Sequence, residues 1–136
     1  MNKNLSDNSR FKGLRIAITG ANGSLGKSLI KVLKKKGAYV VGLTHERKNI
    51  SASSETTPDE WILWSCGKEE LLSSSLANID ILILNHGFNP KQMINSNDIN
   101  QAIEINSLSH WRLIELFENL SPSNNLKKYR PKEVWV

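Results

Sequence analysis

Residues Leu14 to Gly26 read Leu-Arg-Ile-Ala-Ile-Thr-Gly-Ala-Asn-Gly-Ser-Leu-Gly, an apolar run that ends in three glycines spaced three apart, Gly20, Gly23 and Gly26. The run predicts a buried strand and the residues beyond it a helix, so the glycines occupy the turn between them. Each has its own task there. Gly20 permits a tight reversal, Gly23 leaves out a Cβ where an anion must approach the backbone, and Gly26 lets the helix pack close to the sheet. The first helical turn then offers unpaired N–H groups and the positive end of its dipole. Gly20, Asn22, Gly23, Ser24, Leu25 and Gly26 are therefore candidate ligands for the pyrophosphate of a dinucleotide.

A second chemistry fits the same residues. Ala21 to Ser28 matches a relaxed phosphate-loop pattern, in which Lys27 would hold the β- and γ-phosphates and Ser28 a magnesium ion. Against it, the strict pattern wants glycine at position 21. A phosphate-loop site also needs an aspartate after a later apolar strand, and the strand Ile81-Leu82-Ile83-Leu84 runs into Asn85. A third reading makes Lys27 one of the solvated lysines of a helix that also carries Lys31, Lys34, Lys35 and Lys36. The dinucleotide reading ranks first.

The elements that must position this turn follow one another as strand, helix, strand. Leu25, Leu29, Val32 and Leu33 form a stripe at helical spacing, and Gly37 follows as a C-cap. Ala38 to Leu43 is a second buried strand. Residues 44–60 are polar and predict a mobile surface loop. Trp61 to Trp64 is a third strand, its tryptophans packing elements. A helix from about Lys68 to Asn78 follows, with Leu71, Leu72 and Leu76 on its apolar side, and Ile79 to Leu84 is a fourth strand buried on both faces. A long helix near Asp98 to Leu120 leads to a fifth strand beginning at Val134. Strands alternating with helices imply an α/β fold, a three-layer Rossmann-type doubly wound parallel sheet, with the chain stopping at about the fifth strand.

At 136 residues the chain suits one domain, read as a flexible arm over 1–12 and a dinucleotide-binding unit over 13–136. The net charge of +5 lies in the arm, on the lysine-rich helix and near Lys127 to Lys132, without interleaved aromatics, which argues against a nucleic-acid partner. No run is long enough to cross a bilayer, and Cys66 is alone, so no internal disulfide forms. These features point to a cytoplasmic protein without a membrane partner, and to Cys66 as a small buried apolar residue.

Together the motifs resemble the short-chain dehydrogenase/reductase family from Leu14 to Val136. Thr19, Gly20, Gly23 and Gly26 match its Thr-Gly-rich turn, with a glycine spacing nearer to the extended and atypical members. Its fourth strand ends in Asn-Asn-Ala-Gly. This chain has Asn85-His86-Gly87 there, with His86 in the alanine position. Glu104-Ile105-Asn106-Ser107-Leu108 resembles the helical segment whose asparagine supports an active-site water chain, and Asn106 is the match. The resemblance implies cofactor contacts at Thr19, Asn85, His86 and Gly87, although His86 also reads simply as a cap on the strand end. It further implies hydride transfer to or from a nicotinamide, with a Ser and a Tyr-x-x-x-Lys pair handling the hydroxyl proton. The tyrosines of this chain are Tyr39 and Tyr129, and neither has a lysine four residues on.

An acidic residue ending the second strand would bond the ribose of NAD and repel a 2′-phosphate. That position is Thr44, with Arg47 and Lys48 close by, which favours NADP over NAD, while Glu46 speaks for NAD. Ser65 stands where the family often holds the adenine with Asp. The leading expectation is thus the cofactor half of a reductase acting on an unknown carbonyl or alcohol, inactive by itself. A non-catalytic dinucleotide-binding module is the alternative. A fifth strand ending at Val136 would expose an apolar edge, so a homo-oligomer or a missing carboxy-terminal half is expected to cover it.

Overall fold

A computed structural model describes residues 10–46, 54–90, 95–120 and 132–136. Residues 1–9 of the arm, residues 47–53 of the 44–60 loop, Arg47 and Lys48 among them, and Tyr129 lie outside the described residues. Five strands, β1 (Arg15–Thr19), β2 (Tyr39–Thr44), β3 (Glu60–Leu63), β4 (Ile81–Ile83) and β5 (Glu133–Trp135), form one parallel sheet in the order β3-β2-β1-β4-β5. The order reverses direction at β1, so the connections that leave β1 and β4 run to opposite faces of the sheet and leave a crevice at their carboxyl ends.

The period of two in β1 sends Ile16 and Ile18 to one face and Ala17 to the other. The first face buries Ile30 and Leu33 of helix α1 (Ser24–Lys35). The second packs Leu72, Leu76, Leu113 and Phe117 from a 3₁₀ turn (Glu69–Leu72), helix α2 (Ser73–Leu76) and helix α4 (Ser109–Asn119). Each fully buried Ile, Leu or Phe contributes about 1.5–3 kcal/mol of apolar transfer. Helix α3 (Ser96–Ile103) starts from a capping box in which the Asn95 side chain and Asp98 bond each other's backbone N–H. It continues into α4 through a wide turn at Glu104–Leu108, where Ser109 N–H donates to the Glu104 carbonyl five residues back. Helix α1 ends as expected at Gly37, φ +83°, with Ala38 N–H on the Leu33 carbonyl and Gly37 N–H on that of Lys34.

The packing corrects three details. Leu25 (61% exposed) and Val32 (51%) do not face the core, which instead receives Gly26, Ile30 and Leu33. The stripe is rotated because α1 must bring Gly26 against the turn. Leu71 points outward at 71% exposure, since the segment expected as one helix is a 3₁₀ turn followed by a short helix, and the tighter winding turns Leu71 away from Leu72. Phe11 meets the Trp135 ring edge-on at 5.9 Å, and Arg10 lies 5.9 Å over it. Trp135 is thereby half-buried, so the exposed part of the expected apolar edge is Val136.

Candidate functional site

Gly20 closes β1 with φ +62°, and a Cβ there would lie 2.8 Å from the Asn85 carbonyl oxygen. The turn and the loop after β4 therefore touch backbone to backbone. Gly23 caps α1 in an extended conformation and, as a glycine, lends no side chain to the helix's first N–H groups, and the first turn carries no acidic residue. That terminus opens on a cleft of about 710 Å³ at the carboxyl ends of the strands. Gly20, Asn22, Gly23, Ser24 and Leu25 form one wall, Thr44 and Ser65 the end beside β2 and β3, and Asn85, His86 and Gly87 the side beside β4.

The remaining predicted residues that the structure describes stand back from the cleft lining. Gly26 is buried beneath the turn, where a Cβ would approach the Gly20 carbonyl oxygen to 2.4 Å. The missing side chain thus serves the turn itself as well as the packing of helix on sheet. Thr19 is fully buried, and Asn106 sits on the wide turn outside the lining. Arg47 lies outside the described residues. Lys27 and Ser28 do not line the cleft, and the Ser28 hydroxyl donates back to the Ser24 carbonyl at 3.1 Å. Thr44 Oγ1 accepts from Glu46 N–H at 3.3 Å, a local turn that brings His45 and Glu46 onto the rim.

Sequence reasoning missed several lining residues: Trp64, Cys66, Phe88, Gln101 and Ile105. Trp64 was read as packing alone, yet it has one face in the core and another on the cleft. Cys66 is half-buried against the core and also borders the cleft. Gln101 and Ile105 recur four apart on the helix, a period that marks a face without saying what it faces.

Thr19 ties the two loops together. Its Oγ1 accepts from Asn85 N–H at 2.8 Å and His86 N–H at 3.2 Å, which uses both lone pairs. The hydroxyl proton then goes to His86 Nδ1 at 2.8 Å, closer than the Ile83 carbonyl at 3.3 Å, so we assign the ring's own proton to Nε2. Nε2 is buried and makes no hydrogen bond among the described residues. The ring stacks edge-on against Trp64 (5.1 Å) and His110 (4.2 Å). Burial, aided by the neighbouring His110, lowers the His86 pKa from 6.5 to about 4, against the opposing pull of Glu69 and the Ile105 backbone. His86 is consequently neutral at pH 7.

That shift sets a pH dependence. The unfolded chain binds a proton on His86 near pH 6.5 and the folded chain only near 4, so stability present above 6.5 is lost as pH falls through this window. The expected loss is on the order of 2 kcal/mol once the ring's partial exposure is allowed for. Urea unfolding at pH 7.5 and pH 5 measures it. His86→Asn should flatten the slope between the two, and an unchanged slope would remove His86 as its cause.

The loop after β4 is also latched to the helices. Phe88 N–H donates to Asn106 Oδ1 at 2.7 Å, Asn106 Nδ2 donates to the Phe88 carbonyl at 2.9 Å, and His110 Nε2 bonds the His86 carbonyl at 2.9 Å. Asn106 therefore braces the cleft wall instead of pointing freely into solvent. Among the described residues no cluster of metal-ligating side chains occurs, and no helix is long and apolar enough to cross a membrane.

Comparison with known proteins agrees with this geometry. The sequence model of the NAD dependent epimerase/dehydratase family matches residues 16–129. Among curated proteins the chain is 35% identical over 128 residues to the monoglucosyldiacylglycerol epimerase of Synechocystis sp., a match covering 93% of this chain and 31% of that protein. It is 31% identical over 111 residues to the 3-oxoacyl-(acyl-carrier-protein) reductase of Rickettsia typhi, covering 76% of this chain and 46% of the relative. A short chain dehydrogenase from Leptospira borgpetersenii, solved with bound NAD+, superposes with a TM-score of 0.66 at 25% identity, covering 86% of this chain and 48% of its own. The chain thus spans 31% and 46% of the lengths of these two curated relatives.

Proposed function

The chain belongs to the NAD dependent epimerase/dehydratase family, among the short-chain dehydrogenases/reductases, and on that premise we propose that its cleft binds a nicotinamide dinucleotide as the cofactor half of an oxidoreductase. One observation carries the reading: the amino terminus of α1 has neither a side-chain cap nor an acidic residue in its first turn, and it opens on the cleft at the β1/β4 reversal. An anion from outside the chain satisfies those N–H groups. In this reading Gly23, Ser24 and Leu25 hold the pyrophosphate, Thr44 and Ser65 face the adenosine, and Asn85 to Phe88 with Ile105 border the nicotinamide. Thr19, Gly26 and Asn106 act one layer behind, by holding the turn and the opposite loop in place.

When bound, the nicotinamide supplies a hydride to, or takes one from, a carbonyl or alcohol. The groups of this chain bind, orient and exclude water. None of them transfers the hydroxyl proton, because His86 is neutral with Nδ1 held by Thr19, and no Tyr-x-x-x-Lys occurs. The chain alone is therefore proposed to be inactive, with turnover requiring a catalytic half or a second copy, in the cytoplasm. We favour NADP(H), because Thr44 carries no charge to repel a 2′-phosphate. Glu46 on the rim, its carboxylate 3.4 Å from His45, is the observation that favours NAD(H).

Fluorescence titration with NADPH, NADH and Mg-ATP tests the proposal. NADPH is expected to bind tightest and Mg-ATP not at all. Lys27→Ala is expected to leave the NADPH affinity within about threefold, since backbone N–H groups carry the phosphates. ATP binding that disappears in Lys27→Ala would establish a phosphate-loop protein and overturn the dinucleotide reading.

A further inference from the structure

Among the described residues Glu69 is the one buried charged side chain, at 2% exposure, and the cofactor reading gives it no task. Its Oε1 accepts from Gly67 N–H at 2.9 Å and from the Ser109 hydroxyl at 2.7 Å, and its Oε2 from Arg112 Nε–H at 2.9 Å. Burial pushes the carboxyl up, but the Ser109, Gly67 and Arg112 hydrogen bonds outweigh it and hold the group ionised, below its ordinary 4.5. The second arm of Arg112 bonds Glu104 Oε1.

Ser109 and Glu104 are the two partners of the five-residue backbone bond that makes the wide turn. One buried carboxylate therefore grips both ends of that turn, Ser109 directly and Glu104 through Arg112. A wide turn inside a helix is rare, and it recurs at functional sites. Its middle carries Ile105, which lines the cleft, and Asn106, whose amide clamps both backbone groups of Phe88. Reversion to ordinary α-helical winding would rotate the residues before the turn by about 100° relative to α4, taking Asn106 off Phe88.

We propose that Glu69 is a positioning residue for the cleft: bonded to Ser109 and, through Arg112, to Glu104, it holds the Glu104–Leu108 turn wide and so places Asn106 against Phe88. The proposal rests on the cleft being the dinucleotide site for its effect on affinity, and on the structure alone for its effect on Asn106 and Phe88.

The test uses the purified full chain carrying Glu69→Gln, with ¹⁵N NMR and titration by NADPH and NADH. The Phe88 backbone amide and the Asn106 side-chain amide are expected to move from their wild-type resonances, and the affinity to weaken about tenfold. Asn106→Ala is expected to produce the same loss, and Glu69→Gln added to Asn106→Ala to produce no further loss, as two changes in one linkage do not add. If Glu69→Gln does not fold, Arg112→Leu, at a partly exposed site, cuts the link to Glu104 and serves in its place. Folded variants with lowered thermal stability but wild-type Phe88 and Asn106 resonances would reduce Glu69 to a structural residue and overturn the proposal. A wild-type chain that binds neither dinucleotide would overturn the cofactor reading, while the two resonances still decide the role of Glu69.

Discussion

Gly26→Ala is expected to destabilise the chain by about 3 kcal/mol, a large share of the 5–15 kcal/mol that holds a domain of this size together. The added Cβ would lie 2.4 Å from the Gly20 carbonyl oxygen and 2.8 Å from the Ala21 Cα, both backbone atoms that no rotamer change can move. Relief requires shifting the turn, and the turn is fixed through Gly20 against Asn85 on the far side of the crevice. The gain in helix propensity from glycine to alanine, about 1 kcal/mol, is smaller than this cost. Thermal unfolding followed by circular dichroism should show a drop in Tm on the order of 10 °C. A Tm within about 2 °C of wild type would mean that the turn relaxes freely and that the close approach at Gly26 has no structural weight.

Gly23→Val is expected to do the reverse, weakening dinucleotide affinity about 100-fold or more, which is about 2.7 kcal/mol, with little loss of stability. Gly23 is exposed, its φ of −76° is open to any residue, and a Cβ there meets only the Gly20 carbonyl oxygen at 3.3 Å. The valine side chain projects instead beside the uncapped N–H groups of α1, where the pyrophosphate is proposed to sit. Parallel measurements of Kd for NADPH and of Tm separate the two glycines. Equal losses of binding and stability in Gly23→Val would assign this residue to the fold alone.

This contrast shows how the glycines divide their work, and only part of it was readable in the chain. That a strand, a glycine turn and a helix follow one another comes from local rules: β-branched residues at period two, Gly20 where φ is positive, and Gly37 where α1 must stop. Those rules act over a few residues, so they survive without knowledge of the fold. They also located Asn22 to Leu25 and Asn85 to Gly87, because residues at the carboxyl ends of parallel strands share one edge whatever the details of packing.

The sequence by itself thus determined the α/β class, the succession of strands and the glycine turn between β1 and α1. Tertiary structure alone decided what depends on distant neighbours. The strand order β3-β2-β1-β4-β5 pairs β1 with strands on both sides, and no local period encodes such a choice. The buried face of α1 turned to Gly26, Ile30 and Leu33 because the helix had to seat on the turn, and Leu25 was left on the cleft. His86 reads as an isolated histidine until Thr19, 67 residues away, takes its Nδ1. Glu69 reads as one surface acid of a polar stretch until Ser109 and Arg112, 40 and 43 residues on, close over it. A charge is tolerated in the interior only when partners bond it there, and these partners come from a helix distant in the sequence, which no local rule brings to Glu69.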